Sequence, residues 1–72
     1  MKTIEELETL ETIETIVEYK MKQAHEEQKE YERFRDDAQT ESDKKVWDNS
    51  AARALAKWAA YNDIFEAIQL YK

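Results

Sequence analysis

Residues 17–38 place mostly apolar side chains at alternating steps of four and three, the spacing of a helix that packs along one stripe. The positions on this stripe are Val17, Met21, Ala24, Gln28, Tyr31, Arg35 and Ala38. Oppositely charged residues at helical spacing, such as Glu18 and Lys22, occupy the other faces. The pattern predicts an amphipathic helix over about residues 4–38.

The same spacing returns in the second half of the chain and predicts a second helix over about residues 42–71. Its stripe consists of Trp47, Ala51, Ala54, Trp58, Tyr61, Phe65 and Ile68, and we expect the aromatic members to lie mostly in the core. The segment between the two stripes is polar. There Thr40 and Asp43 form a helix-start signature, with Ser42 as a competing N-cap.

Two such helices joined by a short polar segment predict an all-α fold, an antiparallel two-helix hairpin that forms one domain over residues 1–72. Pairs whose numbers sum to about 80–82 should then face each other, which places Phe34 opposite Trp47 and Ala24 opposite Trp58. A continuous helix through Thr40 is the alternative, since neither Gly nor Pro interrupts the chain.

The first 19 residues follow a different pattern, in which an apolar residue, Glu and Thr repeat every three positions in LETLETIET. Thr3 and Glu6 have the spacing of a capping box, so the helix should begin near residue 4. A step of three advances about −60° around a helix. The apolar positions therefore move around most of its circumference and need more than one neighbour.

Two further features indicate association of two hairpins into a four-helix bundle. Leu10 aligns with Tyr71, so residues 1–9 extend past the second helix, and that helix carries a second apolar face. The predicted oligomer interface consists of Ile4, Leu7, Leu10, Ile13, Ile64 and Tyr71. The alternatives are a kink near residues 14–20 that folds the N-terminal helix back, or a frayed start.

Composition gives no support for catalysis, a metal site or a cofactor. Cys, Gly and Pro are all absent, and His25 is the single imidazole, which leaves no disulfide, phosphate-binding loop or zinc site within one chain. Lys22 stands where a di-iron bundle would need Glu. We interpret His25 as a solvated or bundle-edge residue. Gln28 is either a buried amide that sets the register or an edge residue.

The net charge of −6 is concentrated in residues 1–19, which hold six Glu and one Lys. An acidic chain is a poor candidate for binding nucleic acid or an anionic membrane directly, so we expect protein partners. The chain has no long apolar run, which makes a cytoplasmic protein without a signal peptide the expectation. The acidic array, defined as Glu5, Glu8, Glu11, Glu14 and Glu18, either solvates its helix or occupies a basic nucleic-acid-binding groove.

The segment YERFRDDAQTESDKKVWDNSAARALAKWAAYNDIFEAIQLY combines a Tyr- and charge-rich helix, a polar turn and an Ala-rich helix. It resembles the short, acidic, cysteine-free helical-hairpin proteins of phages and prophages, a group that includes some anti-CRISPR-type inhibitors. The resemblance implies a non-enzymatic inhibitor that binds a host protein in the host cytoplasm, and it assigns no residue. The alternative is a structural or assembly module that acts by oligomerising.

Overall fold

A computed structural model describes residues 3–71 as two α-helices that form an antiparallel hairpin. Helix α1 spans Ile4–Asp37 and helix α2 spans Glu41–Tyr71. The predicted all-α hairpin is therefore confirmed, with helix boundaries within one residue of the prediction. The alternative of one continuous helix is wrong, because residues 38–40 leave the helical conformation.

The turn closes without glycine because it uses extended backbone. Ala38 adopts φ −66° and ψ 141°, and its N–H donates to the Arg35 carbonyl at 3.2 Å. The Asp43 N–H then donates to the Thr40 hydroxyl at 3.1 Å. Thr40 rather than Ser42 thus caps α2. No residue between 3 and 71 has a positive φ, so the turn has no position that favours glycine.

Helix α1 begins at the predicted cap and continues without interruption. The Glu6 N–H donates to the Thr3 hydroxyl at 3.2 Å, and helical structure then runs from Ile4 to Asp37. The alternative with a folded-back N-terminal helix is wrong, and residues 4–16 belong to α1. Residues 1 and 2 of the predicted overhang lie outside the described residues.

The threonines of the three-residue repeat bond to their own helix. The hydroxyls of Thr9, Thr12 and Thr15 donate to backbone carbonyls four residues earlier, at 2.9–3.0 Å. The accepting carbonyls belong to Glu5, Glu8 and Glu11. These hydroxyls therefore have partners within α1, although such bonds stabilise a helix little.

The core is a single narrow layer between the two helices. All 14 predicted stripe positions are buried or half-buried, but the fully buried ones are Val17, Ala24, Ala51, Ala54 and Ile68. The expectation that the aromatic residues of the α2 stripe lie in the core needs correction, because all four are half-buried. A large side chain in a two-helix hairpin has a partner helix on one side and solvent on the others. Gln28 is also half-buried, so it lies at the edge of the core.

Contacts across the hairpin confirm the predicted register. The Phe34 and Trp47 rings lie 4.9 Å apart between centroids, and Tyr31 stacks on Trp47 at 5.9 Å. Near the turn, an Arg35 guanidinium nitrogen lies 3.0 Å from an Asp48 carboxylate oxygen. Hydrogen bonds to Asp48 and, secondarily, Asp36 raise the pKa of Arg35. Arg35 thus stays protonated and links the end of α1 to the start of α2.

The hairpin is a rod of 57 × 14 × 10 Å with a radius of gyration of 16.6 Å. A compact domain of this length would have a radius of about 11 Å. The accessible surface is 5764 Å², whereas a compact monomer of 8.6 kDa would expose about 4,700 Å². The isolated hairpin therefore exposes about 1,100 Å² more than a compact chain of its mass.

Candidate protein-binding surface

Charge is segregated along the rod. The open end, which we define as residues 3–19 of α1 and 62–71 of α2, contains eight acidic residues and no basic residue. The remainder of the described chain, residues 20–61, contains nine of each. Lys2 and Lys72 complete the net charge of −6. The charge asymmetry that the sequence suggested for residues 1–19 thus extends to the adjacent part of α2.

Four members of the acidic array, Glu5, Glu8, Glu11 and Glu18, are exposed and make no ion pair within residues 3–71. Glu14 differs because it is half-buried and its carboxylate accepts a hydrogen bond from the Gln69 side chain. Ion pairs such as that between Lys57 and Glu27, at 3.9 Å, lie nearer the turn. The exposed carboxylates are consequently accessible to a cationic partner.

The hairpin has two distinct sides at its open end. On the first, here called the acidic side, Gln69 bonds to Glu14 and Asn62 bonds to Glu66 at 3.2 Å. A shallow groove continues along this side towards the turn, lined by Glu18, Met21, Lys22, His25, Trp58 and Phe65. Its lining combines the apolar side chains with one carboxylate, that of Glu18, and one ammonium group, that of Lys22. His25 is exposed at its margin, as expected of a bundle-edge residue.

The opposite side of the open end carries no charged residue along the part of the hairpin that residues 9–19 of α1 span. The Glu27–Lys57 ion pair lies on this side, nearer the turn. Helical spacing from that pair places six residues on the same side: Ile13, Ile16, Ala60, Ile64, Ala67 and Tyr71. We call these six residues the uncharged face. The side chains of Ile16 and Ile64 lie at the same level and are 54% and 46% exposed.

The predicted oligomer residues do not form one surface. Ile13, Ile64 and Tyr71 lie on the uncharged face, whereas helix geometry places Leu7 towards the acidic side and Ile4, 76% exposed, on the outside of α1. Leu10 is half-buried and shares a groove with Tyr71 at the end of α2. The sequence prediction omitted Ile16. Ile16 could have been predicted, because the hairpin register aligns it with Ile64 and its angle around α1 places it on the same side as Ile13.

Residues 3–71 contain no group of His, Asp and Glu side chains arranged to hold a metal ion. Neither described helix is long and apolar enough to cross a lipid bilayer. No known protein family, curated protein or solved structure matches the chain. The surface of the hairpin itself is therefore the basis for a functional interpretation.

Proposed function

We propose that the protein is a non-enzymatic binding protein whose acidic open end occupies a basic surface of a protein partner. The segregation of charge carries this proposal: eight acidic residues and no basic one at the open end, against nine of each over residues 20–61. Such a field attracts a cationic partner and orients its approach. An excess of negative charge that served solubility alone would not need to be confined to one end.

The charge density of the open end approaches that of nucleic acid. Its eight carboxylates occupy about 20 Å along the hairpin, given the helical rise of 1.5 Å per residue. This is one charge per about 2.5 Å, whereas DNA carries one per about 3.4 Å for a single strand and 1.7 Å for the duplex. A groove that binds the phosphate backbone is accordingly a suitable class of target.

Apolar side chains accompany these carboxylates and would supply contact energy. Eight of the 11 large exposed apolar residues of the described chain lie at the open end, and four of these, Ile4, Leu7, Tyr19 and Leu70, lie outside the uncharged face. Long-range attraction mainly accelerates association, while buried apolar contacts slow dissociation. The open end offers both, as a tight inhibitor would require.

The resemblance to phage helical-hairpin proteins supports a specific biological setting. In this proposal the partner is a host protein that handles nucleic acid or acts in defence, as for anti-CRISPR-type inhibitors, and the protein acts in the host cytoplasm. It needs no cofactor and performs no catalysis. Inhibition follows from competition, because the acidic open end and nucleic acid would occupy the same basic groove.

Capture of host proteins from lysate on the immobilised full chain tests this function. We expect wild type to retain a nucleic-acid-binding protein that elutes as salt rises, because screening shortens the range of exposed charges to about 10 Å at 0.1 M. Added duplex DNA should displace the same protein. Glu8→Gln/Glu11→Gln should retain much less of it.

The matched control is Glu26→Gln/Glu30→Gln, which removes the same charge from exposed positions on the electrically balanced part of α1. This variant should capture the partner as wild type does, and circular dichroism should show equal helix content in all three proteins. Equal capture by both double variants would remove the acidic open end from the mechanism.

A structural or assembly role is the second candidate, and a different observation favours it. The hairpin exposes more surface than a compact chain of its mass, and its uncharged face carries exposed apolar side chains without the carboxylates that a basic partner would engage. A module of this kind would act by joining copies of itself.

A further inference from the structure

The uncharged face is an apolar surface on an otherwise acidic end. Ile13, Ile16 and Ile64 are 41%, 54% and 46% exposed, and Tyr71 is 64% exposed. Exposed Ala60 and Ala67 lie beside them on α2. The large and small side chains therefore alternate along this face, as required for interdigitation with another helix pair.

We propose that a second copy of the chain covers this face, so that two hairpins form a four-helix bundle. The first argument is area. The hairpin exposes about 1,100 Å² beyond the expectation for its mass, and a stable dimer buries about 800 Å² per partner. Pairing through one side would bring the exposed surface of each chain close to that of a compact protein.

The second argument is the small size of the core. Five residues between 3 and 71 are fully buried, and three of them are alanines. A 72-residue chain without disulfides has few other means of stabilisation, and oligomerisation is a common one in small scaffolds. Covering Ile16 and Ile64 would add large aliphatic side chains to a core that now consists mainly of small ones.

The third argument is charge, and it selects a second copy as the occupant. Two identical open ends repel each other wherever their carboxylates meet. The uncharged face has none beside residues 9–19 of α1, so two copies can approach along Ile13, Ile16 and Ile64 without opposing carboxylates. Glu5 and Glu6 lie beyond them in the groove that Tyr71 lines. A basic partner would instead favour the acidic side.

This dimer specifies the contact through which the proposed assembly role would operate, and it does not depend on partner binding through the acidic array. In the pair, the acidic side of each hairpin stays exposed, since the contact uses the opposite side. The dimer would consequently present two acidic surfaces. A partner with two basic sites would then bind more tightly than one with a single site.

Sedimentation equilibrium of the full chain tests the proposal through two substitutions of the same type. Ile64→Lys places an ammonium group on the uncharged face, while Leu55→Lys changes a residue of similar exposure, 48%, on the other side of α2. We expect wild type and Leu55→Lys to have about twice the 8.6 kDa chain mass at micromolar concentration. Ile64→Lys should associate at least about a hundredfold more weakly, because the contact would bury unpaired charges.

Ile16→Lys, on the facing helix, should have the same effect and serves if Ile64→Lys fails to fold. Thermal unfolding of wild type provides a second measurement, since the Tm of a dimer rises with protein concentration. A wild-type mass of 8.6 kDa with a constant Tm would overturn the proposal, as would equal weakening by Leu55→Lys. Glu8→Gln/Glu11→Gln should remain dimeric, which separates this test from that of partner binding.

Discussion

The close approach of the two helices at their most buried alanine provides a sharp test of the hairpin. Ala54 is 2% exposed and lies opposite α1 near Glu27 and Tyr31. The Ala54→Leu substitution adds three carbon atoms at a position that the facing helix already covers almost completely. Overpacking of this kind costs about 1–3 kcal/mol. The substitution should therefore push the helices apart and destabilise the fold.

The expected loss is a large part of the total stability. Small single-layer scaffolds have about 3–5 kcal/mol of folding free energy. With a urea dependence of about 1 kcal/mol per molar, the unfolding midpoint of Ala54→Leu should fall by about 1–3 M. Circular dichroism at one protein concentration measures this shift, with Trp fluorescence as a second probe.

Ala52→Leu is the matched control, because the same change occurs two residues away on the exposed outer side of α2. Leu and Ala have similar helix propensities, so its free energy of unfolding should change by less than about 0.5 kcal/mol. If both variants unfolded at the same urea concentration, the helices would not meet at Ala54. The register described above would then be wrong.

Two further substitutions test the turn end. Trp47→Ala removes the ring contacts with Tyr31 and Phe34 and should cost about 2–4 kcal/mol in urea unfolding, below the full range for a buried Trp because the side chain is half-buried. A loss under 1 kcal/mol would show that these contacts contribute little. Thr40→Ala removes the N-cap of α2 and should cost about 1 kcal/mol, whereas Ser42→Ala should cost much less. The reverse order would assign the cap to Ser42.

Local sequence patterns accounted for the elements and for their pairing. All 14 positions of the two heptad stripes are buried or half-buried, because a helix with one apolar stripe has one way to bury it. Flanking residues such as Glu27 and Asn62 are half-buried as well. The register followed from the turn at Thr40, since a three-residue connection leaves two antiparallel helices little freedom to slide. The Thr3 cap was likewise predictable from the sequence, because capping is a contact between residues three positions apart.

The heptad spacing did not predict what surrounds each side chain in the folded hairpin. Spacing cannot distinguish a Trp with helices on all sides from Trp58, which has one helix on one side, so the burial of the aromatics was overestimated. The separation of an acidic side from an uncharged face also required both helices together. It depends on which flank of α1 adjoins which flank of α2, and contacts such as Glu14 with Gln69 and Glu27 with Lys57 decide that. Ile16 and Ile64 are 48 residues apart in sequence, and the antiparallel pairing of the two helices brings them to the same position along the hairpin.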